Sequence, residues 1–437
     1  MSTRDTTNGA AGVAGPPRFG VLKKFLYVGL GVKRWLLLGA IGIGVCAVGL
    51  AFVLKNILDL DVPDFLPWFW EGVLVGVFGV SIILASVYGL YRTLRPILFA
   101  SATINRLTDT IYTRRSRGRG PKIVTIGGGT GLSVLLRGIK TYTDNISAII
   151  TVADDGGSSG RLRKELGMLP PGDFRNCLVA MTDDESLVGK LFQHRFDQGD
   201  SLEGHSFGNL FIAAMTEVTG SFEEALYESS KILAIHGRVL PSTMTNLSLS
   251  ARLADGSVVR GESTISKQSG RIDRIMIEPE NAGAYEKAVE AIREAQLVLV
   301  GPGSLYTSIL PNLLVPGISE ALRQSSAPKV YVCNVATQVG ETDGYTVAQH
   351  LAALQKHTFA TVVDYAVYND WPVSLGDRFP GEPVVNDGSR IEGVGLIGQP
   401  LVDSEHPVRH DSIKLAEVIM DVYHGRRTVA ESAPVAH

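Results

Sequence analysis

Cysteine is scarce: Cys46, Cys177 and Cys333 are the only three in 437 residues, and they form no CxxC pair. A disulfide scaffold and a structural zinc site are excluded by that spacing, and a reducing compartment fits. Charge is also thin, at 19% of residues against 45% hydrophobic, which excludes a disordered chain. The 48 glycines follow no period of three, so collagen-like order is excluded too. No lysine follows the glycine loop in P-loop spacing, and no serine elbow with matching His and Asp occurs. Walker-type phosphate binding and triad hydrolysis are therefore set aside.

What charge there is lies unevenly. Residues 1–119 carry 14 Lys/Arg against 6 Asp/Glu, while residues 120–437 carry 27 against 38. A basic first quarter on an acidic body points to a polyanion, either membrane lipid or nucleic acid. Hydropathy decides for lipid. WLLLGAIGIGVCAVGLAFVL (35–54) and GVLVGVFGVSIILASVYGLY (72–91) are charge-free runs of bilayer length. Trp35, Trp68, Trp70, Tyr88 and Tyr91 stand near the span ends, where amphipathic rings favour the interface. A cleaved signal peptide is the poorer account of the first run, which is too long and is followed by a second.

Lys23, Lys24, Lys33 and Arg34 precede the first span, and Arg92, Arg95 and Arg106 follow the second. The loop between them holds Lys55 against Asp59, Asp61, Asp64 and Glu71. Positive outer flanks predict a two-span protein of the cytoplasmic membrane with both termini and the body in the cytoplasm. Arg106, Arg114, Arg115, Arg117 and Arg119 make the following linker a surface for anionic lipid, at about 1 kcal/mol per basic residue, with no nucleic acid expected. The chain thus divides into an N-terminal segment (1–34), a hairpin (35–91), a basic linker (92–120), an α/β domain (121–425) and a small polar tail (426–437) expected to be disordered.

The α/β domain opens with KIVTIGGGTGLSVLLRGIK (122–140). Ile123, Val124 and Ile126 predict a short buried strand, and Leu132, Leu135, Leu136 and Ile139 recur at helical spacing. The glycines between, Gly128, Gly129 and Gly131 with Thr130, would bring backbone N–H groups to a phosphate at the helix start. A tight turn without a ligand explains the same residues. TVADDGGSSGRLR follows a second predicted strand. Asp154 or Asp155 there would meet a ribose or hold Mg²⁺ through oxygen ligands, with Asp154 the candidate metal ligand. Ser158, Ser159 and Arg161 offer hydroxyls and a guanidinium to an anion.

In LPPGDFRN, Pro170 and Pro171 should stop the preceding helix, and Asp173 should cap the next unless it meets a ligand. Arg175 and Asn176 would face a phosphate or a base. In GHSFGNLF, His205 reads as a loop histidine bonded to backbone. NLSLSARLADGSVVRGEST predicts a β-hairpin around Asp255–Gly256, an antiparallel lobe without chemistry of its own. Leu297–Val300 then make a buried strand ending in GPGS, and KVYVCNVATQVGETDGYT another ending in Asn334, Thr337, Gln338 and the acidic turn at Glu341. Several strands thus end in polar, glycine-rich clusters, which in an open α/β sheet converge on one crevice. An NAD-dependent oxidoreductase is disfavoured, because GGGTG lacks the GxGxxG pattern of helix packing.

These motifs, IGGGTGLS, TVADDGGSSGRLR, PPGDFRN, HSFGNLFIAAM, VGPGSLYTSILPNLLV and CNVATQVGETDGYT, resemble in order the bacterial gluconeogenesis factor (YvcK-like) family. That family is similar to 2-phospho-L-lactate transferase (CofD-like), and the match runs from about Lys122 to His357. The resemblance implies a Rossmann-like, mostly parallel sheet with helices on both faces. It also implies binding of UDP-sugars, notably UDP-N-acetylglucosamine, and a role in carbon partitioning, cell-wall synthesis and cell shape. By motif it makes Gly128, Gly129, Thr130 and Gly131 the phosphate loop, and Asp154 and Asp155 sugar, ribose or metal contacts. Asn209 becomes a nucleotide contact, with Gly301, Gly303 and Ser304 a further wall. Cell-wall synthesis enzymes and a second copy of the chain are the expected protein partners. No settled reaction comes with it, so a regulator is weighed against a transferase using a diphosphate-linked donor and Mg²⁺. The sequence departs from the pattern in its N-terminal hairpin and in YAVYND at 365–370.

Overall fold

The computed structural model describes residues 32–58, 69–98, 117–183, 187–199, 201–376, 379–389 and 391–425. Lys23, Lys24, Asp59, Asp61, Asp64, Trp68, Arg106, Arg114, Arg115 and the tail lie outside these residues. So do the side chains of Lys33, Arg34, Lys55, Trp70, Glu71, Arg92 and Arg95. The chain separates into two units, Met1–Ser116 and Arg117–His437.

In the first unit, helix α1 (Val32–Leu58) packs along helix α2 (Phe69–Leu98). Small residues set the spacing. A Cβ on Gly42 would come within 3.1 Å of the Gly79 carbonyl, and one on Gly79 within 2.6 Å of Cys46 Sγ. Gly39 faces Ser86, whose hydroxyl donates to the Trp35 carbonyl at 2.6 Å, and Gly89 lies against the Trp35 ring. Such close approach is how apolar helices associate where no water drives them together. Leu37, Leu74 and Phe78 point outward and are more than half exposed. Among the described residues, Val73–Tyr91 is long and apolar enough to cross a membrane, while Trp35–Ala51 is a shorter apolar stretch. Two full spans were expected; by this measure one reaches that length.

The second unit is built on seven parallel strands in the order β10-β9-β8-β7-β1-β2-β3. They are β1 (Ile123–Gly127), β2 (Ile146–Ile150), β3 (Arg238–Pro241), β7 (Leu297–Val300), β8 (Lys329–Val332), β9 (Tyr365–Asn369) and β10 (Gly395–Gln399). Every residue of β1, β2, β7 and β8 is buried, as expected of a parallel sheet covered on both faces. Helix α3 (Gly129–Ile139) lays Leu132, Leu135, Leu136 and Ile139 onto the core, each with no exposed surface and each worth roughly 2 kcal/mol of burial. The chain runs outward from β1 through β2 to β3, then returns to pair β7 with the other side of β1. The strand order reverses there, and that reversal is where a doubly wound sheet opens a crevice.

Three details differ from expectation. Helix α4 (Gly157–Leu166) ends at Gly167, left-handed at φ +67°, so the glycine and not Pro170 stops it. Helix α5 (Gly172–Ala180) starts at Pro171, and Asp173 sits inside its first turn without capping it. The body begins at Arg117, whose guanidinium lies 3.5 Å from Asp144 and 3.4 Å from Asp183, so its charge is answered within the protein. The antiparallel lobe has three strands, β4 (Ser248–Leu253), β5 (Val258–Arg260) and β6 (Ile272–Glu278), with β4 in the middle.

Candidate ligand-binding crevice

At the carboxyl ends of β1 and β7 lies a cleft of about 480 Å³, within the range of small-ligand sites. Gly129, Thr130 and Gly131 form one wall, and Gly303, Ser304 and Asn334 another. The two glycine loops are pressed together. A Cβ on Gly131 would come within 3.0 Å of the Pro302 carbonyl, and one on Gly303 within 3.0 Å of the Gly128 carbonyl. Gly128 and Gly301 sit behind the wall, where they pack against Asp173 and against Ile309 and Val332. Among these loop glycines, Gly129 combines φ +67° with no close contact, its nearest neighbour being Ser308 Oγ at 3.9 Å from an added Cβ. Close packing therefore explains Gly128, Gly131, Gly301 and Gly303, and cleft access explains Gly129 and Thr130.

Carboxylates dominate the cleft's surroundings. Asp173 accepts the Gly129 backbone N–H, and burial pushes its carboxyl up to about 6, with the neighbouring Asp154 charge adding to the rise. A carboxylate, not a cap, thus meets the first donor of α3. Asp154 accepts from Gly156 N–H at 2.9 Å and from Ser159; burial still holds its pKa above the ordinary value. Asp155 turns the other way. Its two oxygens accept the backbone N–H groups of Glu262 and Ser263 at 3.1 and 2.9 Å. The pair of acids splits, Asp154 toward Gly156 and Ser159 and Asp155 toward Glu262 and Ser263, and neither is among the residues that line the cleft.

The antiparallel lobe, expected to carry no chemistry of its own, lends a residue to the cleft lining. The short helix α6 (Glu262–Ile265) hangs from Asp155 and carries Glu262 into the cleft wall. Burial, followed by the charges of Asp154, Asp155, Glu341 and Asp173, raises the Glu262 carboxyl to about 7. On the far wall, Glu341 is buried and accepts from Ser304 Oγ, from Thr307 Oγ1 at 3.1 Å and from the backbone N–H groups of Tyr306 and Thr307. Asn334 clamps Gly303, accepting its N–H at 3.1 Å and donating to its carbonyl at 2.8 Å. Ser304 is thereby committed to Glu341.

The other candidates gather at the end of β2, outside the lining of this cleft. Ser158 Oγ bonds His205 Nδ1 at 2.9 Å and accepts from Asn209 Nδ2 at 3.0 Å; all three are buried. His205 therefore bonds a side chain, where a backbone partner was expected, and burial lowers its pKa. Arg161 donates to the Glu203 carbonyl at 2.6 Å. Arg175 is buried, bonds Ser206 Oγ at the start of the helix at 207–219 and donates to Asn176 Oδ1 at 2.8 Å, and neither residue is among those that line the cleft. Asn209 keeps a buried Oδ1 with no partner.

Sequence reasoning missed Glu262, Arg409 and His410. Arg409 and His410 reach the cleft from the loop between β10 and helix α7 (Ser412–Tyr423). Arg409 is exposed and has no carboxylate partner among the described residues. His410 is buried, and burial lowers its pKa to about 4. Among the described residues no three His, Cys, Asp or Glu side chains are grouped to hold a metal ion.

A sequence model of the family described as 2-phospho-L-lactate transferase CofD matches residues 123–395. The gluconeogenesis factor of Bacillus subtilis (strain 168) is 49% identical over 313 residues, covering 70% of this chain and 99% of the relative. A relative from Nostoc sp. (strain PCC 7120 / SAG 25.82 / UTEX 2576) is 46% identical over 434 residues, covering 92% of each chain. The chain belongs to the CofD family, in its gluconeogenesis factor branch. A crystal structure of a UPF0052 family member from Bacillus halodurans, 48% identical, superposes with a TM-score of 0.67 over 69% of this chain and 99% of its own. The family match extends beyond His357, past YAVYND and into β10. Coverage of 92% exceeds what residues 117–437 can supply, so the Nostoc sp. relative also aligns with part of the first unit. The N-terminal extension is thus shared within the family.

Proposed function

We propose that the chain is a membrane-tethered regulator that binds a UDP-sugar, UDP-N-acetylglucosamine first, and adjusts carbon partitioning, cell-wall synthesis and cell shape to its level. The observation that carries this is the cleft at the β1/β7 switch point, where the Thr130–Gly131 backbone in the first turn of α3 and the Arg409 guanidinium share one cavity. Backbone N–H groups and a guanidinium are the chemistry of diphosphate recognition. The apolar α1–α2 hairpin supplies the tether, holding the body beside anionic lipid and membrane-bound cell-wall enzymes. A homo-oligomer fits this regulatory role.

Asp154 would hold Mg²⁺, a cation that commonly takes one or two carboxylates. Asp154 suits this with its carboxylate on the acidic side of the site. The ion would neutralise phosphate charge there. A transferase acting on a nucleoside-diphosphate-linked donor is the second reading. It is favoured by Glu262, whose carboxyl near 7 is poised to exchange a proton at neutral pH.

The test is calorimetric titration of the purified chain in detergent with UDP-N-acetylglucosamine, GDP and NAD, with and without Mg²⁺. Selective binding of the UDP-sugar, recovered intact, supports the regulator. Consumption of a donor supports the transferase, and no UDP-sugar binding under either condition removes the proposal.

A further inference from the structure

The two glycine loops that meet at the crevice differ in what they have left to offer. After β7, Gly301 N–H is bonded to the Ile126 carbonyl at 2.8 Å and Gly303 N–H to Asn334. The hydroxyls of Ser304 and Thr307 and the N–H groups of Tyr306 and Thr307 all converge on the Glu341 carboxylate. That carboxylate holds the place in which a phosphate oxygen would otherwise collect the same donors.

His410 lines the same cleft and gives an independent indication. Its ring bonds the Cys333 backbone carbonyl at the end of β8, while Nε2 has no partner in a residue only 5% exposed. The carbonyl can only accept, so it fixes the proton on Nδ1 and leaves Nε2 as a lone pair. An unpaired buried acceptor calls for a donor, an O–H or N–H, which the fully ionised diphosphate diester of a sugar nucleotide does not carry.

We infer that Glu341 is the specificity-determining residue of this half of the crevice, excluding phosphate so that it takes an uncharged hydroxyl- or amide-bearing group. His410 Nε2 accepts from that group. The diphosphate is thereby directed to the Thr130–Gly131 and Arg409 side. This deepens the UDP-sugar proposal by orienting the ligand, with the sugar toward β8, and in that respect rests on it.

Pyrophosphate separates the two ideas. The full chain in detergent is titrated calorimetrically with inorganic pyrophosphate and with UDP-N-acetylglucosamine, unaltered and as Glu341→Gln, which keeps the shape and removes the charge. Glu341→Gln is expected to bind pyrophosphate at least 10-fold more tightly than the unaltered chain. Unchanged pyrophosphate affinity in a folded Glu341→Gln overturns the inference. Where Gln fails to fold, Glu341→Ser, retaining a hydroxyl for Ser304 and Thr307, is measured against the same 10-fold expectation. If UDP-N-acetylglucosamine fails to bind while Glu341→Gln gains pyrophosphate, the UDP-sugar proposal falls and the exclusion by Glu341 stands.

Discussion

The loops after β1 and after β7 look alike in sequence, GGGTG and GPGS, and each leads from a buried strand into a helical turn. Their chemical states differ. The β1 loop leaves Gly129 and Thr130 open to the cleft, with a single N–H answered by Asp173. The β7 loop is saturated by Glu341 and Asn334, residues that come from the end of another strand. A glycine motif therefore does not announce a phosphate site; the groups that the fold brings opposite it decide whether its donors are available.

The comparison can be broken most strongly at Glu341. Glu341→Ala strands two hydroxyls and two N–H groups in a buried site, and should cost about 4 kcal/mol of stability in urea titration. A cost under about 1 kcal/mol would mean that water already serves those donors. Next is Gly128→Val on the β1 side, where the first added carbon would lie 2.4 Å from an Asp173 oxygen. Overpacking there should cost about 3 kcal/mol and expel Asp173 from Gly129. An unchanged midpoint would show that Asp173 is not fixed against the loop.

Glu262 sharpens the contrast by pH. Its carboxyl rises from 4.5 to about 7 on folding, so the folded chain holds the proton longer than the unfolded chain does. This stability is present below about pH 4.5 and is lost as pH rises to 7. Glu262→Gln should therefore lessen the fall in stability between pH 4.5 and 8 by about 2 kcal/mol, after discounting for partial exposure. Identical pH profiles would remove Glu262 from the buried acidic wall. The smallest effect is at Asp155, which holds two N–H groups of α6. Asp155→Ala should cost about 1 kcal/mol, as loss of a helix cap does, and should lower the Glu262 pKa by freeing its carboxyl to solvent. A larger loss would give Asp155 a role beyond this short helix.

Much of this is legible in the amino-acid sequence. Buried runs such as Leu297–Val300 and the helical spacing from Leu132 to Ile139 fix a parallel α/β sheet, because burial on both faces leaves a continuous apolar strand. The meeting of the β1 and β7 loops was legible for the same reason: strand ends of one sheet share an edge. Glu262, Arg409 and His410 were not legible. They sit on connections whose path depends on tertiary packing, and no periodicity marks a loop residue that turns inward. Asp173 and Arg175 misled because helix-start chemistry and ligand chemistry use the same side chains. Only the partners, Gly129 for one and Ser206 for the other, tell them apart.

The pairing of β1 with β7 also sets a schedule for biosynthesis. Lys122 and Gln296, bonded at the start of that pairing, are 174 residues apart. At ribosomal speeds of about 5–20 residues per second, β1 waits on the order of ten seconds or more for its neighbour. Meanwhile a strand buried in the finished sheet has one edge bare. The crevice is completed later still, since Arg409 follows β10. A chaperone that shields apolar strand edges on translating ribosomes would find its client in this interval, and pausing before residue 297 would lengthen the exposure.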